Sequence, residues 1–133
     1  MSRREAVTGI VLAAGAGSRY GMPKVLAEQG DWLKKAVAAL VGGGCGDVVV
    51  VLGAEVVDVP APARAVVADD WAVGMSASVR VGLAAADGAA TVVLQVVDTP
   101  DVGADVVRRV LAAAVPTGLA RATYGGRPGH PVV

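Results

Sequence analysis

The chain has 133 residues, a length that one domain fills, and carries 12 Lys plus Arg against 12 Asp plus Glu, so it has no formal net charge. That balance excludes a general electrostatic pull toward nucleic acid or an anionic membrane surface, and any anion must be held by local geometry. Hydrophobic residues make up 54% with no Phe, so the core is expected from Val, Ala and Leu, and no apolar run reaches the roughly 18 residues of a membrane span.

The opening MSRREAVTGIVLAAGAGSR has the basic start, apolar middle and small residues of a signal peptide. Glu5 and Thr8 interrupt that build-up, and Gly9 sits inside it. Cys45, the single cysteine, allows no internal disulfide. A cytoplasmic protein is expected, with Cys45 a small loop residue rather than a reactive one. Ala6 to Ala14 is a short β-branched run without alternation, which predicts a strand buried on both faces. A loop follows, and Pro23 disfavours helix at Met22. Asp31 can cap a helix through WLKKAVAALV, with Leu33, Val37, Leu40 and Val41 on one stripe. The Gly42, Gly43, Gly44 run stops it.

Asp47 to Leu52 predicts a second buried strand and Ala65 to Ala68 a third, with Asp69 and Asp70 in a solvated turn. A helix is expected from Ser76 to Ala86 with Val79, Leu83 and Ala86 inward, then a fourth strand from Thr91 to Val97. Asp105 to Ala114 predicts a helix burying Val106, Val107, Val110 and Leu111, with Asp101 as a capping acid. Gly118 to Tyr124 reads as a fifth strand, and His130 to Val133 begins a further element. The alternation predicts an α/β fold: three layers, α/β/α, around a mostly parallel, doubly wound, Rossmann-like sheet.

Ligands in such sheets bind at the carboxyl ends of the strands. The first strand ends there in LAAGAGSRYGMPK, Leu12 to Lys24. Gly15 and Gly17 lack Cβ atoms, so their backbone can approach a ligand and turn N–H groups toward an anion. Arg19 adds a planar fork suited to phosphate oxygens, and Lys24, stiffened by Pro23, adds a compact charge. Two cations and several amides in one loop suit a polyphosphate. A dinucleotide fingerprint fits poorly. Its third glycine, Gly21, comes one place late, and Gly53 and Ala54 follow the second strand where an acid is needed. A Walker A loop fails because Lys24 is flanked by Pro23 and Val25.

The stretch resembles the signature of small nucleotidyltransferases of the molybdenum-cofactor group, especially the molybdenum cofactor cytidylyltransferases. That signature runs Leu-Ala-Ala-Gly, one or two variable residues, Ser, Arg, Met, Gly, a variable residue, Pro, Lys; Tyr20 stands where the family has Met. Three further stretches are similar to family segments. WAVGMSASVRVGL opens a helix with Ser76 and Ser78, read either as nucleotide contacts or as plain N-caps. VVDTPDV matches the family's Gly-Asp-Met-Pro at Asp98 and Pro100 only. GGRPGHPVV resembles Gly-His-Pro-Val near the second-substrate site, with His130 lining it and Arg127 either facing an acceptor phosphate or standing as a solvated turn cation. Relatives continue past that motif, so the resemblance implies one domain over 1–133 that is short at its C-terminal end.

The resemblance implies a magnesium-dependent nucleotidyltransferase of the cytoplasm. Leu12, Ala13, Ala14, Gly15, Gly17, Ser18, Arg19, Lys24, Ser76 and Ser78 would bind the nucleotide, and Arg19, Lys24 and Asp98 would be catalytic. Asp98 would hold Mg²⁺, since that ion is typically bound by one or two carboxylates plus phosphates and water. Ala14 favours CTP over GTP, because guanylyl-transferring relatives carry Leu-Ala-Gly-Gly. The acceptor would be a molybdopterin, with a molybdoenzyme or its chaperone as partner. A non-catalytic nucleotide-binding homologue, a guanylyltransferase with another acceptor, and an NAD(P)-binding module stay open beside it.

Overall fold

The structure, a computed structural model, describes residues 7–13, 31–53, 59–69, 71–96, 102–116, 118, 120–124 and 127–133. In chain order the described elements are β1 (Val7–Ala13), α1 (Asp31–Gly42), β2 (Asp47–Leu52), β3 (Arg64–Val67), α2 (Met75–Ala85), β4 (Thr91–Val96), α3 (Ala104–Ala114), β5 (Arg121–Tyr124) and β6 (Arg127–Val132). A short 3₁₀ turn, Trp71–Val73, precedes α2. One sheet orders the strands β3-β2-β1-β4-β6-β5. The first four are parallel, and β6 returns antiparallel between β4 and β5. The expected three-layer, mostly parallel α/β fold is observed.

Alternation along the strands builds two cores. Val11, Ala13, Val48, Val50, Leu52 and Val93 meet Leu33, Ala36, Val37 and Leu40 of α1 and Val107 of α3. Ile10, Leu12, Val49 and Val51 face the other way, toward Ala86 and the flank of α2 at Val79 and Val81. Successive residues of a strand point to opposite faces, so a continuous apolar run serves both. The chain steps outward from β1 to β2 and β3, then crosses back to β4. Right-handed crossovers in opposite directions put α1 and α2 on opposite faces. Each fully buried Val, Leu or Ile contributes on the order of 1.5–3 kcal/mol.

Two glycines set how closely helices lie on the sheet. A Cβ at Gly9 would sit 2.7 Å from Leu40 Cδ1, and one at Gly82 would sit 2.7 Å from Ile10 Cγ2. The second contact corrects the expected face of α2. The helix rests on Ser78, Gly82 and Ala86, so Leu83, one position round, is 45% exposed rather than inward. Val41 is likewise 40% exposed, because α1 rests on Leu33, Ala36, Val37 and Leu40.

The ends of the sheet differ from expectation as well. β3 is an edge strand, exposed at Arg64, Ala65 and Val67, not buried on both faces. Gly118 has φ 81, which a strand does not hold, so β5 begins only at Arg121. The closing segment is the end of β6, which starts at Arg127. Among the described residues no helix is long and apolar enough to cross a membrane.

Candidate functional site

Four parallel strands stop along one edge of the sheet, at Ala13, Leu52, Val67 and Val96. α1, α2 and α3 follow β1, β3 and β4 in sequence and run back across the sheet, so their N-termini lie along that edge. First-turn N–H groups and positive dipole ends therefore gather there. α2 is capped by Gly74, with φ 143, and α3 by Gly103; neither has a side-chain capping bond. The glycine carbonyls instead accept first-turn N–H groups, Ala77 to Gly74 at 3.2 Å and Val106 to Gly103 at 3.2 Å. Of the two readings of Ser76 and Ser78, capping is not observed: α2 starts at Met75 behind a glycine. Ser76 is exposed in the first turn, and Ser78 is 4% exposed on the face that meets the sheet.

β1 and β4 are neighbours, with Leu12 opposite Val96. The chain therefore leaves β1 toward Gly15, Arg19 and Lys24, and leaves β4 toward Asp98, from points about 5 Å apart. β6 runs antiparallel to β4, so its Arg127 end reaches the same edge. Continuing the register from Leu94 opposite Val132 by two residues brings the backbone of His130 level with Val96. Ala14, Gly15, Gly17, Ser18, Arg19, Lys24, Asp98 and Asp101 lie outside the described residues, and Arg127 and His130 are described as strand backbone. Leu12 and Ala13 are 7% and 3% exposed, with side chains in the two opposite cores. At their positions the backbone is what a ligand can reach.

One polar side chain at this edge was not singled out from the sequence. Gln95 is 1% exposed, and its Oε1 accepts the N–H of Val96 at 3.0 Å. The signal was a lone carboxamide inside TVVLQVV, in a strand that is otherwise apolar beyond Thr91.

The opposite, amino edge holds a different set of features. A cavity of about 400 Å³ there is lined by the start of β1 and β4 (Val7, Thr91), the end of α3 (Leu111, Ala114) and Val133, without a charged side chain. Cys45 is buried, and desolvation pushes its thiol up to about 11, so it stays protonated and unreactive at neutral pH. Arg64 Nη2 donates to Asp47 Oδ2 at 2.9 Å and to the Ala85 carbonyl at 2.7 Å, tying β2, β3 and the end of α2. The hydrogen bond from Arg64, with its charge, holds the Asp47 carboxyl below the usual aspartate range. Asp47 and Arg64 form a structural tie at the start of β2 and β3, away from where the strands end. Among the described residues no group of three or more His, Cys, Asp or Glu could hold a metal ion.

Comparison with known proteins agrees with this geometry. A family model described as a MobA-like NTP transferase domain matches residues 9–133. Nicotine blue oxidoreductase of Paenarthrobacter nicotinovorans is 39% identical over 96% of this chain and 70% of its own. The crystal structure of an Rv0371c homologue from Mycobacterium sp. strain JC1 superposes with a TM-score of 0.80, at 31% identity over 99% of this chain and 70% of that one. Rv0371c of Mycobacterium tuberculosis H37Rv, solved in complex with manganese, gives a TM-score of 0.70 at 26% identity, over 96% of this chain and 69% of its own.

Proposed function

Because the chain belongs to the MobA-like NTP transferase domain family, we propose that it transfers CMP from CTP to a phosphorylated acceptor of the molybdopterin type, releasing pyrophosphate in the cytoplasm. The observation that carries this reading is the parallel pairing of β1 with β4, Leu12 against Val96. It starts the cationic glycine loop and the Asp98 stretch side by side.

On this reading the amides of Gly15 and Gly17, with Arg19 and Lys24, grip the triphosphate and offset charge building on the leaving pyrophosphate. The acceptor's phosphate oxygen attacks the α-phosphorus in line. The bond to the bridging oxygen breaks, and the electron pair leaves with pyrophosphate. No general base is required, because a phosphate nucleophile is already ionised at neutral pH. That suits a chain with a single histidine. Asp98 would hold a divalent cation together with phosphate oxygens, a donor set fitting a hard ion such as Mg²⁺ or Mn²⁺, and the cation would supply charge neutralisation. Arg127 and His130, on the strand beside β4, would face the acceptor.

Isothermal titration with CTP and with GTP, each with Mg²⁺, tests the base preference; tighter GTP binding ends the cytidylyl assignment. Arg19→Ala with Lys24→Ala is expected to abolish triphosphate binding, by more than about 100-fold for two lost charge-assisted contacts. Triphosphate affinity that survives both substitutions sinks the loop assignment. Pyrophosphate release with a molybdopterin acceptor separates an enzyme from a binding homologue.

A second reading has a specific observation behind it, the 39% identity to nicotine blue oxidoreductase. On that reading the same edge binds a nicotinamide dinucleotide without a metal. The late third glycine, Gly21, and the missing acid after Leu52 count against it. Titration with NADH in EDTA decides: micromolar binding favours the oxidoreductase.

A further inference from the structure

The two faces of α2 reverse the usual amphipathic pattern, in which large apolar side chains point to the core. Toward the sheet it presents the small residues Ala77, Ser78, Gly82 and Ala86, all buried. Away from it stand Ser76, Arg80, Leu83, Ala84 and Asp87, all exposed, Leu83 by 45%. Spacings of three and four residues place these on one outward stripe. Asp87 lies in the turn that closes α2, and its N–H donates to the Ala84 carbonyl at 3.3 Å, so it continues the winding of the helix. α2 packs on β1, β2, β3 and the 3₁₀ turn ahead of it, while α1 and α3 line the opposite face of the sheet. No other described helix covers the stripe.

The stripe is self-complementary. Arg80 and Asp87 are two turns apart, about 10 Å along the axis. That is beyond the spacings of three and four residues at which side chains of one helix meet. The residues that do stand at those spacings from either one are uncharged: Ser76, Ala77, Leu83, Ala84, Ala90 and Thr91. A two-fold axis between Leu83 and Ala84 reverses the helix and sets position 80 of one copy opposite position 87 of the other, twice. The same axis sets Leu83 on the partner's Ala84, a large side chain over a small one, which suits interaxial distances of about 8–10 Å.

We propose that this face of α2 binds a second copy of the chain. The two helices run antiparallel, Arg80 pairs with the partner's Asp87 on both sides of the axis, and Leu83 packs across it. The proposal does not depend on the nucleotidyltransferase reading. A pair of three-turn helices buries less than the roughly 800 Å² per partner of a standard interface, so the dimer is transient, with a Kd of roughly 10–100 µM. Antiparallel pairing turns the first turns of the two α2 helices to opposite ends, so the two carboxyl edges face away from each other and stay open.

Sedimentation equilibrium of the full chain, over concentrations that bracket this Kd, tests it with wild type, Leu83→Lys, Arg80→Glu and Asp87→Arg. Wild type is expected to dimerise reversibly, and more weakly as salt rises. Leu83→Lys should weaken the dimer at least about ten-fold, by putting a charge where an apolar contact forms. Arg80→Glu sets acid against acid twice and Asp87→Arg sets base against base twice, so each alone should also lose at least about ten-fold. Mixed one to one, these two charge variants pair acid with base at both contacts and should associate about as tightly as wild type. That rescue is specific to the antiparallel register, and it shows at the same time that both variants are folded. Wild type that stays monomeric throughout overturns the proposal. So does a dimer whose Kd none of the three substitutions moves, and so does a mixture that associates no better than its components.

Discussion

Along the amino edge of the sheet, side chains tie one element to the next; along the carboxyl edge, two of the described helices begin behind glycines without a side-chain cap. Arg64 joins β2, β3 and α2 at the amino edge, and Arg108 Nη1 donates to the Gly42 carbonyl at 2.8 Å, joining α3 to the end of α1. Gly43 lies under Val107, and Cys45 is sealed in beside Gly9. At the other edge α2 and α3 begin behind glycines without side-chain caps. Gln95 Oε1 accepts the Val96 N–H there. Replacing a good N-cap by Gly costs only a few tenths of a kcal/mol. The carboxyl edge can therefore start helices at glycines at little expense, provided that the amino edge and the core hold the fold. Stability and ligand chemistry are expected to separate by edge.

The largest break in that comparison comes from the core above the amino half of β1. Leu40 is fully buried and packs where Gly9 has no side chain. Leu40→Ala is expected to cost about 2–5 kcal/mol, transfer plus cavity, in urea unfolding. Triphosphate affinity of the folded protein should not change. Gly43→Ala comes next. Its Cβ would collide with Val107 Cγ1 and stand 2.9 Å from the Ala39 carbonyl oxygen, so α3 must move off α1. A loss of about 1–3 kcal/mol is expected, as for overpacking. If either substitution weakens triphosphate binding as much as it weakens folding, the two edges are coupled and the separation fails.

How much of this was readable beforehand follows the same division. β2 was bounded correctly at Asp47 and Leu52, because a β-branched run between Gly46 and Gly53 leaves no alternative period. The two-faced core was readable for β1 and β2 for the same reason. The face of α2 was not, because composition ranks Leu83 above Gly82, while a tight helix–sheet contact prefers the residue without a side chain. AVVA has the composition of any central strand, so β3 reads as buried; only sheet order reveals an edge. At the candidate site, the loop residues were legible through their chemistry. Gln95 was not, because one polar residue in an apolar strand carries no periodicity.

The smallest expected effect is at the Asp47–Arg64 pair, and it sharpens the comparison most cleanly. Its side chains are 44% and 48% exposed, so solvent screens the attraction, and such pairs contribute about 0–1 kcal/mol. Asp47→Asn should cost no more than that, because Arg64 keeps its bond to the Ala85 carbonyl. The pH dependence has a definite sign. The folded carboxyl titrates below its unfolded value, so its contribution is present above the usual aspartate range and disappears as pH falls through the folded pKa. The urea midpoints of wild type and Asp47→Asn should therefore differ slightly at neutral pH and converge in acid. CTP affinity should be the same for both at neutral pH. A widening gap in acid would mean that the carboxylate is not stabilised by Arg64. A change of CTP affinity on Asp47→Asn would mean that a tie at the amino edge reaches the carboxyl edge, through β2 or through α2, whose last turn Arg64 holds and whose first turn lies beside the strand ends.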